Sequence, residues 1–369
     1  MRQSAGRPAG VGIVLCAVAL LAGCVARQTQ RAPAAGADRR RELVDDAIPA
    51  RIPDRAGWSR DILAAFASLG LDPTAGNVCA VTAVIEQESG FTVDPQVPNL
   101  PAIARRELDA RASSAGVPRI LVDGLLKLTS RDGRTYGERI DRVRTERDLS
   151  DIYEDFIATV PLGSTLFADR NPIRTRGPMQ VHVVFAEEFA RRHPYPYPIR
   201  TTLADEVFTR RGGLYFGVAH LIDYPAPYDK TLYRFADFNA GQYASRNAAF
   251  QAAAGAAAGA AIRTDGALLA PDAGLGETES LLRTLSGRLR LDDAAIHDSL
   301  LRSKREDFAQ TELYRRVFSL AESRTGRVLP RAVVPRIELH GPKISRHLTT
   351  AWYAARVDAR FARCLRGTG

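Results

Sequence analysis

One carboxylate in the stretch from 77 to 91 is placed to carry acid–base chemistry. Glu88 is followed by Gly90, a helix-stop signal, and it extends a helical stripe of apolar residues. The members of that stripe are Val81, Val84 and Ile85. Burial beside such a stripe disfavours a charged carboxylate, and a protonated carboxyl group is what a general acid needs. We therefore predict that Glu88 is a proton donor; the alternative is a helix-end carboxylate that reaches solvent.

Two later motifs could line a cleft beside this carboxylate. Residues 177–180 (Gly-Pro-Met-Gln) combine the adaptable apolar surface of Met179 with the Gln180 amide, which can donate to and accept from sugar hydroxyls. Residues 238–241 (Phe-Asn-Ala-Gly) end a predicted helix with small side chains that would let a ligand approach the backbone.

Other kinds of chemistry have no pattern in the sequence. The six histidines show no spacing with cysteines or acids that is typical of zinc. Neither a Gly-x-Ser-x-Gly nucleophile motif nor a phosphate-binding glycine loop occurs. We therefore predict no metal and no cofactor.

The N-terminus has the features of a secretion signal. An apolar run from 11 to 21 follows two arginines and leads into Leu-Ala-Gly-Cys at 21–24. The run is too short for a typical membrane-spanning helix. The Leu-Ala-Gly-Cys box resembles that of bacterial lipoproteins, which implies cleavage after residue 23 and acylation of Cys24. Val25 replaces the aspartate that usually retains lipoproteins in the inner membrane, so the resemblance implies the periplasmic face of the outer membrane.

The charge balance argues against a nucleic-acid binder. Removing residues 1–23 removes two arginines and no acids, so the formal net charge falls from +9 to +7. Arginine and lysine are spread along the chain without a basic block, which suits a protein beside anionic envelope polymers or lipid. Export also argues against a nucleic-acid partner.

Two of the four cysteines could form a structural pair. The signal peptide contains one and Cys24 would carry lipid, which leaves Cys79 and Cys364. In an oxidising compartment these could form a disulfide that ties the C-terminus to the Glu88 helix. Two independent buried thiols are the alternative, because sequence does not supply the geometry.

Periodicity predicts a mainly α-helical protein with several segments. We expect a signal peptide at 1–23 and, from its Ala, Arg and Pro content, a flexible tether at 24–57. The main domain would span 58–263 with a helical insertion at about 92–170. Residues 264–369 would form a helical C-terminal extension that packs on the main domain.

Local signals also predict where two helices begin. Asp72 and Pro73 are typical of an N-cap and the first helical position of the Glu88 helix. After the Gly-Pro turn, Met179 and Gln180 should enter the next helix directly.

Read together and in order, the Glu-Ser-Gly-Phe of 88–91 and the motifs at 177–180 and 238–241 resemble those of the soluble lytic transglycosylase family, which has a lysozyme-like fold. The resemblance covers about half of the chain, from 58 to 262, and implies that peptidoglycan glycan strands are the substrate. It implies that Glu88 is the sole catalytic acid/base. The residues that it implies contact substrate are Ser89, Met179, Gln180, Phe238 and Asn239. The whole chain is also similar to a group of uncharacterised proteobacterial lipoproteins that share these motifs.

The sequence departs from the family pattern at two of these motifs. Phe238 replaces a tyrosine whose phenol usually hydrogen-bonds the catalytic acid, and Tyr233 or Tyr243 are candidates to replace it. Pro178 replaces the usual leucine. The separation between Glu88 and the second motif is also longer than usual, which is the reason for predicting an insertion.

The resemblance implies cleavage of the MurNAc-GlcNAc β-1,4 bond with formation of 1,6-anhydroMurNAc, in which one carboxyl group serves both steps. A hydrolytic lysozyme would instead use a second carboxylate, with Asp94 or Asp237 as candidates, although Asp237 is also explained as a helix-surface charge. A non-catalytic peptidoglycan-binding or scaffold lipoprotein is the third hypothesis, favoured by Phe238 and the insertion.

Overall fold

The computed structural model describes residues 31–159, 171–272, 274–341 and 346–368, and within them the chain is mainly helical. The predicted signal peptide and Cys24 lie outside these residues. The first three helices are α1 (Arg31–Ala47), α2 (Arg55–Ser68) and α3 (Ala75–Glu88). Four more lie in the range of the predicted insertion: α4 (Leu100–Ser114), α5 (Arg119–Leu126), α6 (Tyr136–Ile140) and α7 (Glu146–Thr159).

The chain then returns to the main domain through a short hairpin. The hairpin consists of β1 (Thr175–Arg176) and β2 (Val181–His182). Four helices follow it: α8 (Val183–Arg192), α9 (Leu203–Phe208), α10 (Arg210–Ile222) and α11 (Leu232–Ala240). The remaining elements are α12 (Ala244–Ala258), α13 (Glu277–Thr284), α14 (Ser286–Leu289), α15 (Asp293–Leu301), a 3-10 turn (Glu306–Gln310), α16 (Glu312–Thr325), β3 (Glu338–Leu339), β4 (Leu348–Thr349) and α17 (Thr350–Gly367). The strand pairs β1–β2 and β3–β4 are antiparallel.

Helix α3 lies at the centre of the largest hydrophobic core. Every residue from 78 to 85 is buried, and the helix packs against α1, α10 and α17. Its first turn is capped by Thr74, whose side chain accepts a hydrogen bond from the backbone N–H of Asn77. The predicted start at Asp72 and Pro73 is therefore wrong, because the cap lies at Thr74. At the other end Gly90 has a positive φ of 58°, which supports its predicted role as a stop.

The prediction of a flexible tether at 24–57 is wrong for the part that the structure describes. Residues 31–47 form α1, and Val44, Ile48 and Ile52 are buried in the same core as α3. The Ala- and Arg-rich composition that suggested a tether is also compatible with a helix. Its stability comes from tertiary burial, which composition does not report.

Two further hydrophobic cores divide the rest of the chain. The insertion has a small core around Leu100, Tyr136 and Ile152. The larger one packs α12 against α13 and α16, with α14 and α15 beside those two helices, around Phe250 and Phe308. The predicted boundary at 263–264 therefore does not separate the cores, since α12 belongs to this later core and α17 to the first one. No helix in the described ranges combines the length and the apolar content that crossing a bilayer requires.

Candidate functional site

Glu88, the last residue of α3, meets the first turn of α17. The Tyr353 phenol donates a hydrogen bond of 2.5 Å to Glu88 Oε1. Tyr353 is only 4% exposed, and burial together with the adjacent Glu88 raises the pKa of the phenol well above its ordinary value. The phenol is therefore protonated at neutral pH and acts as a fixed donor to the carboxyl group.

The antiparallel packing of α3 and α17 creates this contact. Cys79 and Cys364 form a disulfide with a Cα–Cα distance of 5.5 Å. Glu88 lies nine residues after Cys79, and Tyr353 lies 11 residues before Cys364, so the two side chains reach the same level of the helix pair. Tyr353 was not predicted from the sequence. The Cys79–Cys364 pair and the rise per residue of an α-helix together would have placed it beside Glu88.

Tyr353 supplies Glu88 with the phenol hydroxyl that the Phe238 side chain lacks. The Phe238 ring packs against the His220 imidazole at a centroid distance of 5.0 Å. Tyr243, one of the two tyrosines that the sequence suggested as a replacement, is buried beside Tyr224 and has Arg246 over its ring. The phenol at Glu88 therefore comes from the C-terminal helix and not from the turn that ends α11.

The structure also brings Asn239 to the first turn of α17. Asn239 Oδ1 accepts a hydrogen bond of 2.7 Å from the Thr350 hydroxyl. Thr350 and Tyr353 are three residues apart, so they lie on the same face of the helix. The first turn of α17 thus connects Asn239 with Glu88, two residues that sequence analysis assigned to one cleft.

Met179 and Gln180 lie in the turn between β1 and β2, and α8 starts only at Val183. The prediction that they enter a helix directly is therefore wrong. Met179 is fully buried against Gly217, where an added Cβ would lie 2.3 Å from its sulfur. The prediction that Met179 contacts substrate is corrected accordingly: a side chain with no exposed surface belongs to the core.

Gln180 and Ser89 are partly exposed but already have protein partners. Gln180 has a positive φ of 50°, and its Oε1 accepts a hydrogen bond of 3.0 Å from the Thr175 hydroxyl. The Ser89 hydroxyl donates to the Ile85 carbonyl at 3.2 Å, within the last turn of α3. A ligand contact by either group would compete with these bonds.

Asp237 is buried and is not the helix-surface charge that the sequence suggested. It accepts hydrogen bonds from the Tyr224 and Tyr228 phenols at 3.1 and 2.7 Å. It also accepts from the backbone N–H groups of Tyr243 and Ser245 at 3.0 and 2.6 Å. Four donors match the capacity of a carboxylate, so Asp237 organises the turn after α11 and is a poor second catalytic acid.

The other carboxylates near α3 differ from Glu88 in their surroundings. Glu86 accepts from Arg51 at 2.7 Å and has Arg360 and Arg363 nitrogens within 3.8 Å, so it belongs to an ion cluster that joins three segments. Burial raises the pKa of Asp94, at the start of the insertion. Among the described residues, no group of three or more His, Cys, Asp or Glu side chains could hold a metal ion.

Comparisons with known proteins place the chain in a family. A protein of Escherichia coli (strain K12), described as "Uncharacterized protein YaiW", is 47% identical over 356 residues, which are 95% of this chain and 97% of that protein. No solved structure matches the chain. The profile of one family matches residues 51–367, a range that includes Glu88, Asn239 and Tyr353. The protein therefore belongs to the family described as "Protein of unknown function (DUF1615)".

Proposed function

We propose that the protein is a peptidoglycan lytic transglycosylase with a lysozyme-like main domain. It would cleave the MurNAc-GlcNAc β-1,4 bond and form 1,6-anhydroMurNAc. The observation that carries this proposal is the 2.5 Å hydrogen bond from Tyr353 to Glu88. The resemblance implies a phenol on the catalytic acid, and this chain supplies one from α17 despite Phe238.

In this mechanism Glu88 acts twice. Its carboxyl proton passes to the glycosidic oxygen as the C1–O bond breaks, and the resulting carboxylate then accepts the proton of the muramyl C6 hydroxyl as that oxygen bonds to C1. A hydrogen bond from a phenol is stronger to a carboxylate than to a neutral carboxyl group, so Tyr353 would stabilise the state between the two transfers. No second carboxylate is needed, which agrees with the full set of donors around Asp237.

We further propose that acylated Cys24 anchors the protein to the outer membrane at its periplasmic face. The glycan strands of peptidoglycan would then be within reach of a protein held on the adjacent membrane. The basic residues of the chain suit this environment of anionic polymers and lipids.

The test is digestion of purified sacculi by residues 25–369, with released muropeptides identified by mass. We expect anhydro products from the wild type and a loss of about 100-fold or more in Glu88→Gln, because this change removes the acid and keeps the side-chain size. Glu86→Gln is the matched control, since Glu86 lies on the same turn within an ion cluster, and it should retain the activity. Reducing-end products would instead indicate a hydrolase.

The second candidate is a non-catalytic peptidoglycan-binding or scaffold lipoprotein. The first turn of α17 lies on both Glu88 and Asn239 and thereby covers part of the predicted cleft. Two clefts on the described surface are lined by other residues, one of them beside Arg51, Arg360 and Arg363. Sedimentation of the protein with sacculi, without release of muropeptides, would support this candidate and contradict the enzyme.

A further inference from the structure

The insertion carries a concentrated exposed apolar surface on and beside α5. Among the described residues, five of the 11 exposed large hydrophobic side chains fall between 117 and 128. They are Val117, Ile120, Leu121, Leu125 and Leu128, and we call them the α5 face. Ile120 is 78% exposed and Leu121 is 58% exposed. Apolar side chains gathered in this way mark a site of interaction with a protein or a membrane.

The spacing of these residues shows that they form one surface. Within α5, Ile120, Leu121 and Leu125 lie within about 140° of one another around the helix axis, and Val117 and Leu128 adjoin the two ends of the helix. The other side of α5 holds Val122, which is 6% exposed, and Leu126, which packs against the core of the insertion. Helix α5 is therefore apolar on both sides, and only one side has a partner within the described chain.

The composition of the α5 face favours a lipid surface over a protein. Its apolar side chains are all aliphatic, whereas protein interfaces are enriched in aromatic residues and Met. Arg119 and Lys127 flank it, both are exposed, and neither forms an ion pair with another described residue. Asp123 is the only acid between 117 and 128. Aliphatic side chains flanked by cations are typical of helices that lie in the interface of an anionic bilayer.

The short connection between Cys24 and the first helix would keep the folded chain near a membrane when Cys24 is acylated. This step rests on the lipid anchor proposed above. Helix α1 starts at Arg31, so only six residues separate it from Cys24. The seven Cα–Cα steps from Cys24 to Arg31 span at most about 25 Å when the chain is fully extended. A body held this close to a bilayer would meet it repeatedly, and a second apolar contact would fix its orientation.

We propose that the α5 face is a membrane-docking surface that inserts into the headgroup region of an anionic bilayer. The insertion would then orient the Glu88 site relative to the membrane that carries the lipid anchor. Docking itself requires neither the acyl chain nor the glycan chemistry.

The experiment uses residues 25–369, which contain every described element and carry no lipid. The protein is floated with vesicles of phosphatidylethanolamine and phosphatidylglycerol, and separately with phosphatidylcholine alone. We expect flotation with the anionic vesicles, and a bound fraction about fivefold lower for the Ile120→Ser/Leu121→Ser variant, which removes the two most exposed apolar side chains of the face. The matched control is Leu301→Ser/Val328→Ser, at positions that are 58% and 85% exposed elsewhere on the surface, and its flotation should equal that of the wild type.

Three outcomes would overturn the proposal. The wild type could fail to float with either vesicle, or both double variants could float equally well. The wild type could also elute as a dimer that Ile120→Ser/Leu121→Ser converts to a monomer, without vesicle binding, which would identify a contact between copies of this chain. Muropeptide release by the same variants is measured in parallel, because it reports on Glu88 and distinguishes failure of this proposal from failure of the proposed enzyme activity.

Discussion

At the scale of single residues, the Tyr353 phenol separates two roles for Glu88. A phenol buried to this extent and bonded to a carboxyl group at 2.5 Å fixes the orientation of that group. A purely structural bond would contribute to stability alone. A bond that strengthens as Glu88 becomes ionised during turnover would contribute to the rate as well.

Tyr353→Phe tests this distinction, because it removes one hydroxyl and keeps the ring. A hydrogen bond to a charged group contributes about 1.5–3 kcal/mol, so muropeptide release should fall roughly 10- to 100-fold. In a Glu88→Gln background the same change should have little further effect on the rate, since both residues act through one group. Tyr314→Phe, in the core around Phe250, is the control for loss of a buried hydroxyl. An unchanged rate with a lower melting temperature would assign Tyr353 a structural role only.

At the scale of elements, His220 joins three helices of the main domain. It belongs to α10, and its ring lies 4.4 Å from that of Phe185 on α8 and 5.0 Å from that of Phe238 on α11. Its Nε2 lies 3.2 Å from the Phe238 carbonyl oxygen, so the neutral ring donates there. Nδ1 is buried without a hydrogen-bond partner in the described part of the chain. Burial lowers the pKa of His220 to about 4.

This helix junction predicts a specific loss of stability in acid. Between pH 6.5, the ordinary pKa of histidine, and pH 4, the unfolded chain binds a proton that the folded chain does not bind at His220. The free energy of unfolding should therefore decrease as the pH falls through this range, by on the order of 3 kcal/mol from this residue. In His220→Gln the decrease should be smaller by that amount, as measured by urea unfolding at a series of pH values. Parallel pH profiles for the two proteins would contradict the assignment.

Local signals in the sequence predicted some elements well and others not at all. Helix α3 has an apolar stripe and a glycine stop, so its existence and its end at Glu88 follow from the sequence; its first residue does not, because Thr74 competes as a cap. Helix α1 was missed because its apolar residues gain their stability from distant partners. Met179 was misassigned because its burial depends on Gly217, 38 positions away, which has no side chain to exclude it. Tyr353 was missed because 265 positions separate it from Glu88 in the sequence.

At the scale of the whole molecule, one covalent link encloses most of the structure. The Cys79–Cys364 disulfide joins positions 285 residues apart, so the insertion and the later hydrophobic cluster both lie inside the loop that it closes. The same bond holds α17 on α3, where Tyr353 meets Glu88. Stability of the molecule and geometry of the candidate site therefore depend on the same link.

Reduction of this disulfide should lower stability and activity together. Opening a loop of this length removes a constraint on the unfolded chain, so we expect the free energy of unfolding to fall by about 2–5 kcal/mol. Muropeptide release should fall with it, below the melting temperature, because α17 then loses its covalent link to α3 and holds Tyr353 only by packing and by the non-covalent bonds of Glu86 and Asn239. The measurement compares oxidised and reduced protein, with the mass gain of two hydrogens confirming reduction. The Cys79→Ala/Cys364→Ala variant should match the reduced wild type and respond to no reductant; a wild type whose melting temperature is also insensitive to reductant would show that the bond contributes nothing.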